Sequence, residues 1–107
     1  MPSSIRYEII IDNLVYEHFD EVDKKDHSYI LDIIELQLLY EANIETCNRK
    51  PLQIPNMLNA TWELRCGTNN RYRIFYDIDQ YNSIVIVLAV GRKVGNQLWI
   101  GKERIEL

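Results

Sequence analysis

Glycine, cysteine and histidine are scarce in this 107-residue chain, with four, two and two residues respectively. Four scattered glycines supply no glycine-rich phosphate loop, in which neighbouring backbone N–H groups must converge on one anion. Cys47 and Cys66 are too few for a disulfide framework and lack the spacing of zinc ligands. His18 and His27 both fall in the half that reads as helical and have no partnered ligand set, so each is expected to pack or to lie on a helix surface. No serine occupies a GxSxG turn, and neither cysteine stands in a visible nucleophile arrangement. Long apolar runs are missing too. The longest, Ile84–Val90, falls far short of the roughly 20 residues that a membrane span needs. The N-terminus lacks the basic-then-apolar order of a secretory signal. The expectation is a reduced cytoplasmic protein with no membrane association, no metal and no cofactor.

What is present is ordinary in amount and unusual in distribution. Hydrophobic residues make up 47% and charged residues 26%, enough for a single domain over residues 1–107 to bury a core unaided. Residues 1–48 carry three cations against eleven carboxylates, whereas residues 49–107 carry nine against five. The total of −4 therefore hides a half at −8 and a half at +4, and the basic half suits a phosphate-rich partner despite the acidic total.

The basic half is organised around residues 61–93. Three runs rich in β-branched and aromatic residues, Thr61–Cys66, Tyr72–Ile78 and Ile84–Val90, are joined by the turns Gly67-Thr68-Asn69-Asn70 and Asp79-Gln80-Tyr81-Asn82-Ser83. This pattern predicts an antiparallel three-strand meander. Trp62 and Leu64 alternate with Glu63 and Arg65, and Tyr72, Ile74 and Tyr76 alternate with Arg73, Phe75 and Asp77. Period-2 alternation places Arg65 and Arg73 on a face opposite the covered one. Arg71 lies beside them, and the third strand runs out into Arg92 and Lys93.

Upstream, Ile5–Ile11 reads as a strand that begins near an edge and becomes buried. Asp12 or Asn13 can cap a short helix over Leu14–Val22, and Asp26 or Ser28 a longer one from about His27 to Ala42. In the longer helix Ile30, Leu31, Ile34 and Leu38 form a stripe, widened by Ile33 and Leu39, expected to cover the inner face of the meander. Asn43–Ala60, with Pro51 and Pro55, reads as irregular, and carries Arg49 and Lys50 towards the meander. Leu98–Ile100 reads as a last short strand, and Arg104–Leu107 as a terminal strand piece.

Cations, carboxylates and aromatics are the groups left for chemistry, and they suit metal-independent RNA strand cleavage. A 2′-hydroxyl must lose its proton to attack the adjacent phosphate, and arginines aimed at the phosphoryl oxygens supply the electrostatic stabilisation. Glutamate, lysine or tyrosine can move the proton. Tyr76 or Trp99 can stack a base.

The ordered set ELR, RYRIFYDID, VIVLAVGRK and GNQLWI, after one strand and two helices, resembles the RelE/ParE superfamily of bacterial type II toxin–antitoxin toxins. The similarity is closest to members that carry a run like Asn48–Leu52 (NRKPL) before WELR, and GNxL near the end. The resemblance covers nearly the whole chain. It implies an α+β, RelE-like fold, a mostly antiparallel sheet packed against an N-terminal helical pair. RelE-type members cleave mRNA on the ribosome and ParE-type members poison DNA gyrase, and both are neutralised by an antitoxin protein that wraps them. The implied activity is a ribosome-dependent mRNA endonuclease. A gyrase poison and a catalytically weak antitoxin-binding member are the alternatives. The implied partners are a cognate antitoxin, in a hetero-oligomer, and ribosome-bound mRNA. The implied catalytic residues are Arg73 on the phosphate, Arg92 and Lys93 as the basic pair closing the site, and Glu63. Arg49, Lys50, Arg65, Arg71, Tyr76 and Trp99 are implied as substrate contacts. Two positions depart from the RelE pattern: Trp99 falls where a tyrosine is usual, and Glu63 where a lysine is. Either Glu63 or Lys93 then takes the acid/base role. The turn Cys66–Arg71 is also about three residues longer than usual, with the potential to displace Arg65 relative to Arg73.

Overall fold

A computed structural model describes residues 5–53 and 59–105. The fold is arranged around β5 (Ile84–Val94), eleven residues long and rich in β-branched side chains. One side of β5 is lined by antiparallel β4 (Tyr72–Asp79). The other side is shared. Parallel β1 (Glu8–Ile11) pairs with its first half and antiparallel β6 (Gln97–Ile100) with its second half. Outward from β4 come β3 (Trp62–Cys66) and β2 (Arg49–Pro51), and outward from β6 comes β7 (Glu103–Ile105). The result is a seven-stranded sheet in which every pairing except β1–β5 is antiparallel.

Two helices cover one face. Helix α1 (Asn13–Phe19) starts where the Asp12 carboxylate accepts a hydrogen bond from Leu14 N–H at 2.9 Å, the predicted cap. Helix α2 (His27–Leu38) buries Ile30, Ile34 and Leu38, four residues apart along one stripe. Leu31 lies at the rim of that stripe instead, 43% exposed. These side chains pack with Val15 and Phe19 of α1 on Leu64, Ile74, Tyr76, Val85 and Val87 of the sheet, the principal core. Neither helix is long and apolar enough to cross a membrane. Asp26 precedes α2 but makes no capping bond with its side chain. Its carboxylate accepts a hydrogen bond from the Tyr72 hydroxyl, joining the start of α2 to β4. Burial, reinforced by this bond, pushes the Tyr72 phenol up to about 12.

Several boundaries differ from the sequence expectation, each for a physical reason. The first helix ends at Phe19, where the Asp20 and Glu21 N–H groups turn back to the Glu17 and His18 carbonyls. The second ends at Leu38 and gives way to turns. Within 43–60, Arg49–Pro51 forms an edge strand on β3; Pro51 stands at its end, a position where a missing N–H is tolerated. Pro55, in the stretch read as irregular, lies outside the described residues, as do Glu106 and Leu107 at the end of the expected terminal strand.

The largest correction concerns β5, which runs on to Val94 rather than ending at Val90. Phe75 pairs with Ala89 and Tyr76 with Val87, so Leu88 is an extra residue without a partner on β4. Such a bulge shifts the parity of the strand. Val85 and Val87 before it, and Val90 after it, join the principal core, while Ala89 joins a second apolar cluster on the opposite face with Phe75, Leu98 and Ile100. That face is therefore not wholly solvated, as plain alternation implied.

His18 shows how tightly α1 is tied to β5. It is 8% exposed, and its Nδ1 accepts a hydrogen bond from Val90 N–H at 3.2 Å. Burial lowers its pKa, and the nearby Glu17 and Asp12 carboxylates offset this in part. A histidine kept neutral in the fold is protonated first in the unfolded chain. Its contribution to stability is thus complete above the unfolded pKa near 6.5 and is lost as pH falls from there towards the lowered folded value. His18→Asn, which retains an acceptor for Val90, is expected to flatten the decline in urea-unfolding stability as pH falls below about 6.5.

Candidate nucleic-acid interface

Adjacent residues of a strand point to opposite faces, so strand register decides which charges meet. Arg65 of β3 is directly opposite Arg73 of β4, and both lie on the face away from the helices, as do Glu63 and Phe75 one pair further along. Like charges placed directly opposite each other repel and need compensation. Glu63 provides it. Its Oε1 lies 2.5 Å from Arg65 Nε and 3.4 Å from Arg73 Nη1, so one carboxylate serves two guanidinium groups. The cluster retains an excess positive charge.

The two arginines differ in freedom. The Arg65 side chain is 40% exposed, whereas that of Arg73 is 9% exposed and held at a second point, its Nε donating to the Asn70 carbonyl at 3.2 Å. Burial, and next the Arg65 charge, lower the Arg73 pKa, with Glu63 opposing both. Arginine remains cationic at neutral pH even so. The result is a buried cation held at two points beside a more exposed one held by Glu63 alone.

The longer turn between β3 and β4 supports this arrangement instead of disturbing it. Gly67, Asn69 and Asn70 all have positive φ, which glycine and asparagine accept at low cost. At Gly67 a Cβ would lie 2.8 Å from Tyr72 Cδ2. The compact turn leaves Arg65 in register with Arg73 and supplies the carbonyl of Asn70 that orients it. Asn70 was not among the expected site residues. The Asn69-Asn70 pair announces a turn in the sequence, but not where its carbonyl points.

Lys50 lies opposite Glu63 on the same face and is exposed. Lys93 reaches that face from β5, beyond Gly91, the cross-strand partner of Arg73. Its N–H donates to the Arg71 carbonyl at 2.7 Å. Lys93 and exposed Arg71 line a shallow cleft of about 500 Å³ with Thr68 and Asn69. The Arg71 guanidinium carbon lies 5.1 Å from the Tyr72 ring centroid.

Four expected site residues lie elsewhere. Since β5 continues through Arg92 and Lys93, the two cannot close one site together. Arg92 pairs with Tyr72 on the helical face, where its Nη2 is 3.9 Å from Glu21 and its guanidinium carbon 5.9 Å from the Trp99 ring centroid. Trp99, opposite Arg92, shares that face and so points away from Arg73. Tyr76 is fully buried in the principal core, where its hydroxyl donates to the Ala42 carbonyl at 2.7 Å, and burial pushes its pKa up. It offers no ring to a base. Arg49 is 1% exposed and donates to the carbonyls of Gln37 and Ile44. The sequence places Arg49 near the meander; the register with Leu64 turns it into the core.

No protein-family model matches the sequence, and no curated protein matches it. Among solved structures, a chain of the toxin–antitoxin complex RelBE2 from Mycobacterium tuberculosis matches with a TM-score of 0.67 at 20% identity, over 87% of this chain and 98% of that one. Likeness at that identity is a likeness of architecture, and on it the chain has the α+β fold of a RelE-like toxin.

Proposed function

We propose that this protein is the toxin of a type II toxin–antitoxin pair and cleaves ribosome-bound mRNA in the cytoplasm without a metal, on the sheet face that carries Arg65 and Arg73. The observation that carries the reading is the directly opposed arginine pair sharing the single carboxylate of Glu63. A phosphate arriving there meets two cations, one of them held in place before binding. The matched structure is a toxin–antitoxin complex, which supports an antitoxin as the protein partner.

The chemistry follows from the layout. Glu63 and Lys93 come from β3 and β5, two strand spacings apart across the sheet and four residues apart along it, roughly 16 Å between backbones, with Arg73 of β4 between them and two long side chains to span the gap. A phosphodiester seated over Arg73 has its 2′-hydroxyl on one side and its leaving 5′-oxygen on the other. Arrival of the phosphate frees the Glu63 carboxylate from the two arginines, and it takes the 2′-hydroxyl proton. The 2′-oxygen bonds to phosphorus, the P–O5′ bond breaks, and the Lys93 ammonium donates a proton to the departing oxygen. The products are a 2′,3′-cyclic phosphate and a free 5′-hydroxyl. Arg65 and Arg73 stabilise the charge gathered on the phosphoryl oxygens. Lys50 and Arg71 hold flanking phosphates.

Primer extension on a reporter mRNA in a translating extract tests the reading. Cuts that require ribosomes are expected. Intact mRNA at every protein level would sink the proposal and redirect attention to gyrase supercoiling. Two variants refine it. Glu63→Gln is expected to lower cleavage about 10²-fold while strengthening binding of an RNA with a 2′-deoxy scission site, because the carboxylate both moves the proton and competes with phosphate. Trp99→Phe, on the other face, is expected to leave the cleavage rate within about twofold. A larger loss would place Trp99 back in the substrate path.

A further inference from the structure

Past Asn48, whose carbonyl accepts the Arg65 N–H at 2.8 Å, the outer edge of β3 has no strand beside it among the described residues. Helix α2 closes the gap, where the Tyr29 hydroxyl accepts the Gly67 N–H at 2.9 Å. Between helix and strand edge lies a pocket of about 180 Å³. Ile33 and Leu64 give it apolar walls, and Tyr29, Gln37 and Asn48 bring polar groups to it. Arg65 and Asn70 line it too, and they tie it to the arginine pair: Arg65 stands opposite Arg73, and the Asn70 carbonyl holds Arg73 Nε.

The polar groups are set to donate. Arginine has no acceptor, so the contact of Arg49 Nη1 with Gln37 Oε1 at 2.7 Å fixes the amide and leaves its NH₂ end for the pocket. The Tyr29 oxygen accepts from Gly67 and keeps its own proton to give. No carboxylate among the described residues lines the pocket. Burial pushes the Cys66 thiol in its wall up to about 11, so no anion forms there at neutral pH. Apolar walls, fixed donors and a cation at the rim fit a flat ring with an acceptor edge, carried by a phosphate.

We infer that this pocket binds the base of the nucleotide on the 5′ side of the cut and favours guanine, an inference that rests on the RNA-cleavage reading. The pocket and Glu63 lie on the β3 side of Arg73, and Lys93 lies on the β5 side. The nucleotide whose 2′-hydroxyl meets Glu63 is therefore the one whose base reaches the pocket. Guanine offers two neighbouring acceptors, O6 and N7, to the Tyr29 hydroxyl and the Gln37 amide. Adenine and cytosine place an exocyclic N–H₂ donor there, against donors, and uracil offers a single acceptor.

The test is sequencing of the cut ends from a reporter mRNA carrying every codon, in a translating extract, with wild type beside Gln37→Glu and Tyr29→Phe. The readout is the base distribution among the cuts, which a change in total activity or folded fraction does not move. Guanine is expected to precede wild-type cuts about tenfold more often than adenine, at equal codon supply. Gln37→Glu keeps an oxygen for Arg49 but replaces the donor with an acceptor, and is expected to turn the ratio in favour of adenine. Tyr29→Phe removes one donor and is expected to reduce the ratio to about threefold. Absence of cuts with wild type would overturn the cleavage reading and this inference with it. Cuts without a guanine excess, or with an excess that the variants leave unmoved, would overturn the inference alone.

Discussion

Replacing Arg73 by alanine is expected to lower the rate of ribosome-dependent mRNA cleavage by about 10²–10³-fold, the usual loss on removing one fixed donor from a site of developing negative charge. Primer extension with wild type and variant side by side reads it directly. The large effect is assigned to Arg73 rather than Arg65 because Arg73 is ordered before substrate arrives, by burial, by Glu63 and by the Asn70 carbonyl. Arg65, 40% exposed at its side chain and held by Glu63 alone, is less fixed once phosphate displaces that carboxylate, and its loss is expected to cost roughly tenfold. Arg73→Lys is expected to recover little, since an ammonium cannot donate to the Asn70 carbonyl and a phosphate with the same planar fork. The fold is expected to tolerate Arg73→Ala. The change removes a like-charge contact with Arg65, and Glu63 retains its bond to Arg65 at 2.5 Å. A variant that keeps its circular dichroism and thermal midpoint yet still cleaves at the wild-type rate would remove Arg73 from the mechanism.

Much of this geometry was legible in the sequence where local rules act alone. The alternation through WELR and RYRIFYDID assigned Glu63, Arg65 and Arg73 to one face, and the structure keeps them there. Stripe and propensity marked α2, and the Asp12 cap marked α1. What was not legible depends on pairing between distant residues. A bulge is a mismatch between two strands, so nothing within Ile84–Val90 shows that Leu88 is the extra residue. Once parity shifts there, Arg92 and Lys93 part company, and Trp99 follows Arg92 through the β5–β6 register. The β2 strand has only three residues and exists because the β3 edge offers it partners. Its apolar content alone does not announce it.

Arg49 and Lys50 form the sharpest contrast, two adjacent cations that β2 turns to opposite faces. Arg49→Ala is expected to destabilise the fold by about 3–5 kcal/mol, from the cavity left by a large buried side chain together with the acceptors that lose their donor. The guanidinium carries Nε to the Ile44 carbonyl at 2.7 Å, and Nη1 to the Gln37 carbonyl and side-chain oxygen at 2.8 and 2.7 Å. Truncation leaves those part-buried acceptors, at the end of α2 and in the turn after it, without their donor, and opens a cavity beside Tyr76 and Leu64. A cation is well placed there because helix C-termini carry partial negative charge. For a domain of this size the thermal midpoint is expected to fall by about 15 °C or more. Lys50→Ala, one residue along and exposed, is expected to change stability by less than about 0.5 kcal/mol. Its effect belongs to RNA affinity, where loss of one phosphate contact lowers the dependence of log K on log salt by about 0.7. Urea unfolding and salt-titrated RNA binding on the two variants separate the roles. If Arg49→Ala unfolds with the wild-type midpoint but loses RNA, Arg49 contacts substrate and β2 does not hold it in the core.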